Sequence, residues 1–215
     1  MKILGEKFQP DEFEEHVARY NFGVYPANKL VVHHTWRPEK DQWDGAQTLK
    51  NIKTYYEGKG WYAGPHLFIA EDGIWTFTPM RENGIHASKL NYRSIGIEVV
   101  GNYDVVKWSG KTKTNALKAI KILMEKLELS TEDLYFHRDV TSKSCPGHAI
   151  SKEWIIKELV LLDVENKVEP SPWAEEGWDW QKSLALDLSV HPQQKVDAEW
   201  VFAILKKLKN MEDHS

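Results

Sequence analysis

The 215 residues set 28 Lys and Arg against 32 Asp and Glu, a formal net charge of −4 at pH 7. A chain of this length can bury one full core and carry a small appendage, and it lacks the basic footprint of a nucleic-acid binder. No apolar run approaches the length of a bilayer span, so no membrane insertion is expected. The N-terminal Met1-Lys-Ile-Leu-Gly-Glu-Lys-Phe8 lacks a signal peptide's apolar stretch and cleavage site, which predicts synthesis as a soluble cytoplasmic chain.

In chain order, residues 11–20 after Pro10 read as a first helix. Leu30-Val31-Val32-His33-His34-Thr35, between Asn28 and Pro38, is apolar and β-branched and predicts a short buried strand ending in polar residues. Residues 47–58 predict a helix stopped by Gly58-Lys59-Gly60. Residues 66–70 and 74–78 predict two strands joined through Glu71-Asp72-Gly73 as a hairpin. Residues 94–101 predict another strand, and residues 114–127 a helix with Leu117, Ile120, Leu123, Met124 and Leu127 on one face. A short strand at 134–136 and an amphipathic helix at 151–162 follow. The class is α/β, a sheet with packed helices and functional groups at strand ends.

Residues 164–172 are polar and proline-containing and read as a linker between a domain at 1–163 and a small helical domain at 173–215. From 165 onward the tail carries six Lys against ten Asp and Glu, so the net charge of −4 lies there. Trp173, Trp178, Trp180 and Trp200 also lie there. They predict either a small core or a sugar-stacking surface. So small a core supplies little stability, and the tail is expected to dock on the main domain, self-associate as a homodimer, or bind a sugar polymer through those rings.

Chemistry concentrates in His137-Arg-Asp-Val-Thr-Ser-Lys143-Ser-Cys145-Pro-Gly147, which holds the sole cysteine. A lone Cys forms no intrachain disulfide, leaving packing, nucleophilic attack or metal ligation. Packing is the commonest of these uses. Here a histidine, a lysine and a Pro-Gly turn share the segment, and imidazole with thiolate is a donor set that zinc favours. A third ligand is then expected from His33 or His34. Strand side chains alternate, so one of the two faces a given site, and residue pattern alone does not choose. Glu98 stands in an apolar strand, where an unpartnered carboxylate is costly and implies a special environment.

Val32-His33-His34-Thr35, Ser94-Ile95-Gly96-Ile97-Glu98 and the His137–Gly147 run resemble the three signature segments of the zinc N-acetylmuramoyl-L-alanine amidases. These are the type 2 amidases, a family that includes phage endolysins, recycling amidases and peptidoglycan recognition proteins. The resemblance spans roughly residues 20–162 and implies a central mixed β-sheet with packed helices. It assigns the Zn²⁺ ligands to His33, His137 and Cys145, and the catalytic acid–base to Glu98. Some members use a tyrosine where this chain has Pro65, with Tyr62 nearby. Lys143, two residues before the ligand Cys, is expected to stabilise the oxyanion. His86 matches a cleft-lining histidine of relatives, and His66 is expected near the metal, both as substrate-binding residues. The tail resembles an S-layer-homology half repeat. The resemblance implies hydrolysis of the amide between N-acetylmuramic acid and L-alanine of bacterial peptidoglycan. The expected setting is a phage or prophage endolysin, acting on the wall after release, with the tail holding a secondary wall polymer. A cytoplasmic recycling amidase and a non-cleaving recognition module are the alternatives. Cys145 argues against the second, because such modules typically lack the thiol ligand.

Overall fold

The computed structural model describes residues 1–167. Its elements are β1 (Lys7–Phe8), α1 (Pro10–Arg19), β2 (Leu30–His34), α2 (Gly45–Gly58), β3 (Leu67–Ala70), β4 (Gly73–Thr76), β5 (Ile95–Val99), α3 (Gly110–Lys126), β6 (Leu134–Phe136) and α4 (Lys152–Lys167), with short 3-10 turns between them. Met1–Leu159 forms one compact unit. Helix α4 continues through Lys167, into the first residues of the segment read as a linker. The rest of that segment and the expected helical domain at 173–215 lie outside the described residues.

The six strands form one mixed sheet in the order β1-β4-β3-β5-β2-β6. β3, β5, β2 and β6 run parallel, while β4 and β1 complete the sheet antiparallel at one side. All five residues of β2 are buried, as expected of a strand with parallel neighbours on both sides and both faces covered. The β3–β4 hairpin forms where its turn residues place it, pairing Ala70 with Gly73. β1 was not foreseen. Two residues carry no periodicity, and Lys7 and Phe8 become a strand only by pairing with Trp75 and Ile74.

Helix α1 follows from its N-terminus: Pro10 opens it, and Glu12 accepts the Gln9 backbone N–H at 2.7 Å. Phe13 and Val17, one turn apart, are its buried residues. Helix α3 starts at Gly110, four residues before the apolar pattern predicts. Its first turns bury two polar residues, Thr112 and Asn115, and Asn115 Nδ2 donates to the Ala70 carbonyl at 2.9 Å. A hydrogen bond there replaces the hydrophobic signal. α1 and α3 pack on each other, with α3 also on β3 and β4 and α1 on β1 and β4. Leu49 of α2 meets Phe68, Trp75 and Phe77 in a buried cluster flanked by Ile52 and Tyr56. Phe68 and Trp75 therefore point to α2, and the alternating Ile69 and Ile74 to the other face.

Beyond β6 the chain folds back on Tyr103, whose carbonyl accepts the Ala149 N–H at 3.1 Å. Gly147 sits there at φ +108°, with its Cα against the Tyr103 carbonyl, where an added Cβ would collide with backbone. Gly147→Ala is expected to destabilise the fold by about 2–4 kcal/mol through strain and overpacking together. Urea unfolding measures it, and an unchanged midpoint would show that the turn can relax.

Candidate metal centre and cleft

Register builds the first part of the site. On adjacent parallel strands His33 pairs with Glu98, and Glu98 pairs with Phe68. Paired residues share a face, so all three side chains point to the α2 side of the sheet. His34 points the other way, where its Nδ1 accepts the Tyr103 N–H at 3.2 Å. Strand geometry thus brings the ring of His33, not that of His34, to the donor cluster. His137 leaves the end of β6, next to β2. These groups gather at the C-terminal ends of the parallel strands, where open α/β sheets place their sites.

Cys145 arrives by a loop that Arg138 holds. The Arg138 backbone N–H donates to the Cys145 carbonyl at 2.9 Å. Its guanidinium donates to the carbonyls of Ser144, Gly147 and Ile150 at 3.3, 2.9 and 2.6 Å. Five rigid donors suit such a clamp, which no lysine could reproduce. Sequence reasoning missed Arg138 and Tyr103, because each acts on carbonyls or on backbone N–H that carry no residue signature.

The donor atoms of His33, His137 and Cys145 all lie within 4.8 Å of one another. Cys145 Sγ is 3.6 Å from His33 Nδ1, close to the roughly 3.5 Å that separates neighbouring N and S ligands on a tetrahedral divalent ion. The His34 backbone N–H donates to the same sulfur at 3.4 Å, which favours its anionic form. Burial holds the His33 imidazole well below its ordinary pKa, helped by the neighbouring His86 and His137. Burial also lowers His137, with the Lys143 charge adding to it. Neutral imidazoles are the metal-binding form. Burial pushes the Cys145 thiol up, against the pull of Lys143 and Arg138. Two neutral imidazoles and a thiol packed this closely, with an open side toward the cleft, fit a metal ion that displaces the thiol proton.

Glu98 Oε1 lies 4.0 Å from His33 Nδ1. Its Oε2 is buried and has no hydrogen-bond partner among the described residues. Burial raises the carboxyl to about 8, which suits a group that takes and returns a proton near neutral pH. The site opens on a cleft of about 940 Å³ whose walls include His86, Glu98, Lys143, Tyr56 and Trp61. Lys143 is exposed at its rim.

Two expectations change on contact with the structure. His66 is 0% exposed. Its Nδ1 accepts the Gly96 N–H at 2.9 Å and its Nε2 donates to the Glu82 carbonyl at 2.9 Å. Both ring nitrogens are occupied by backbone, so His66 is a structural tie rather than a substrate contact. Tyr62 is 75% exposed and is not part of the cleft wall, which removes it as the alternative base. Of the two tyrosines that line the cleft, Tyr55 and Tyr56, the more buried is Tyr56, where Glu98 adds to the burial that raises its pKa. It was legible only as one more member of the α2 face that carries Leu49 and Ile52.

The sequence profile described as N-acetylmuramoyl-L-alanine amidase matches residues 23–148, a span that holds every residue of this centre. The chain belongs to the N-acetylmuramoyl-L-alanine amidase family. The endolysin of Enterobacteria phage T3 is 30% identical over 122 residues, 54% of this chain and 80% of its own. Peptidoglycan-recognition protein SC2 of Drosophila simulans is 33% identical over 109 residues, 49% of this chain and 59% of its own. Among solved structures, the N-acetylmuramoyl-L-alanine amidase LysC of Clostridium intestinale URNW superposes with a TM-score of 0.55 at 28% identity, over 65% of this chain and 88% of that one. With this family and this cluster, the protein is an amidase-type hydrolytic enzyme.

In the metal-free amidase, Glu98 titrates near 8 when folded and near the usual carboxylate value of about 4.3 when unfolded. The folded form then binds the extra proton between those values, so stability falls as pH rises through that window and levels off above it. Glu98→Gln should flatten this profile and stabilise the metal-free amidase at pH 9 by up to roughly 4–5 kcal/mol. Thermal melts between pH 5 and 9 after chelation check it, and parallel profiles for the two proteins would refute it.

Proposed function

We propose that this amidase is zinc-dependent and hydrolyses the amide between the lactyl group of N-acetylmuramic acid and the L-alanine of the peptide stem, as a phage or prophage endolysin. The observation that carries this reading is the His33–His137–Cys145 cluster with the Glu98 carboxylate 4.0 Å from His33. The resemblance to the endolysin of phage T3 supports the lytic role. A wall-binding function for the tail, or self-association through it, is part of the same proposal.

His33 and His137 as neutral imidazoles, with Cys145 as thiolate, would hold zinc and leave one side open to the cleft. Bound there, zinc would supply a Lewis acid that lowers the pKa of the attacking water to about 7. Glu98 accepts the proton of the attacking water and delivers it to the departing alanine nitrogen. The Lys143 ammonium, at the cleft rim, balances the negative charge that develops on the carbonyl oxygen. Arg138 and the Tyr103 backbone keep the sulfur and the rim lysine on one rigid loop.

A second reading, a peptidoglycan-binding module without turnover, is favoured by the likeness to Peptidoglycan-recognition protein SC2. The thiol in ligand position weighs against it, because a complete three-donor set serves chemistry rather than contact. Purified walls decide between them. New free L-alanine amino groups without new reducing sugar ends are expected, whereas binding with neither product would establish the module.

Cys145→Ser should lose zinc and turnover together, read by metal analysis beside the amino-group assay. Full zinc content with ordinary turnover would sink the ligand assignment. Glu98→Gln should keep zinc while turnover drops by roughly 10²–10⁴, the usual share of general acid–base catalysis. Lys143→Ala should also keep zinc and lose about 10²-fold or more. Near-normal turnover in Glu98→Gln would move the base to another cleft residue, with Tyr56 the first to test.

A further inference from the structure

His86 touches the site but has no part in the chemistry above. Its ring is fixed from several sides. The backbone N–H groups of His86 and Ala87 both donate to Asn91 Oδ1, at 3.0 and 2.7 Å. The ring lies flat on the β5 backbone, where a Cβ at Gly96 would come within 2.6 Å of His86 Cγ. The buried His66 ring stands edge-on to it, centroids 5.7 Å apart.

Its hydrogen bonds run in one direction. Ser94 is 2% exposed, and its Oγ lies 3.2 Å from the Asn91 carbonyl oxygen and 3.2 Å from His86 Nε2. A hydroxyl has one hydrogen, and a carbonyl can only accept. Directed to Asn91, that hydrogen leaves Ser94 Oγ to accept from His86 Nε2–H. The neutral His86 then presents a bare Nδ1, 3.1 Å from His33 Nε2. Such a contact requires the hydrogen of His33 to be on Nε2. The lone pair of His33 is therefore on Nδ1, the atom 3.6 Å from Cys145 Sγ.

We propose that Asn91, Ser94 and His86 form a tautomer relay that fixes which nitrogen of His33 faces the metal, with His86 and Ser94 as positioning residues rather than substrate contacts. The inference rests on the metal reading of the His33–His137–Cys145 cluster. Without the relay, His33 could place its hydrogen on Nδ1 and would have to exchange tautomers before it could bind. Partners of this kind orient a ligating imidazole and raise its basicity.

The test uses the full chain, with zinc affinity read by competition against a chromophoric chelator and the ligand field read from cobalt(II) absorption. His86→Leu should weaken zinc binding about 10–100-fold and alter the cobalt spectrum. Ser94→Ala, which deletes one oxygen, should shift affinity the same way by a smaller factor. Gly96→Ala keeps every polar group but pushes on the His86 ring, and should behave like His86→Leu. His86→Asn should recover most of the affinity, because its amide oxygen can sit where Nδ1 does. Wild-type affinity and spectrum in both His86→Leu and Ser94→Ala would overturn the relay, as would an Asn variant no better than the Leu one. If His86→Leu fails to fold, Ser94→Ala and Gly96→Ala decide by the same readings. A wild-type chain that takes up neither zinc nor cobalt would overturn the metal reading itself, and the relay with it.

Discussion

The pairing of β2 with β5 is the constraint on which the site depends. With His33 opposite Glu98 on parallel strands, a ligating imidazole and a carboxylate emerge on the same face, 4.0 Å apart. A slip of one residue would send one of them to the α1–α3 side and leave the other alone in the cleft. The apolar runs on either side, buried on both faces, hold that register far more firmly than any contact within the site. Stability of the core and geometry of the chemistry are therefore one requirement.

Burial acts on the ionisable groups of this centre in a single direction, toward their uncharged forms. It lowers His33 and His137 and raises Glu98 and Cys145. For the imidazoles the neutral form is already the one that donates a lone pair. The thiol and carboxyl instead hold protons that a cation would displace, so metal uptake and proton release are coupled. The same desolvation that makes Glu98 costly as an unpaired charge tunes it to exchange protons near neutrality. The backbone N–H of His34 at the sulfur offsets part of the thiolate's cost without adding a charge.

Much of this was legible from residues. The β2 and β5 runs, the hairpin, the cysteine loop and the carboxylate in an apolar strand each carry their own chemical signal, and the structure gathers them around one cleft. The failures share a cause. β1 exists only through its partner strand, and the start of α3 is stabilised by a buried amide rather than by apolar spacing. His66 looked like a site residue because an imidazole is usually read by its chemistry. Here it serves as a two-ended hydrogen-bond tie between β5 and the Glu82 carbonyl. Tyr56 was overlooked because helical periodicity does not separate an aromatic that packs from one that also faces a ligand.

What residue patterns miss most is the scaffolding by backbone groups. Arg138 reads the carbonyls of three loop residues, Ser144, Gly147 and Ile150, and Tyr103 meets both His34 and Ala149 through its own main chain. Both neighbours of the metal-ligating loop are thereby tied to β2 and to the segment after β5. The sulfur cannot shift without breaking several hydrogen bonds at once, so little conformational entropy remains to be lost when an ion is bound. His33 is held by its strand and its relay, and Cys145 by its loop. His137 begins the turn that carries Arg138, so the same clamp that fixes the sulfur fixes the third donor. A centre assembled from one sheet and one clamped loop is pre-organised by construction, and the flexible partner in the reaction is left to be the substrate.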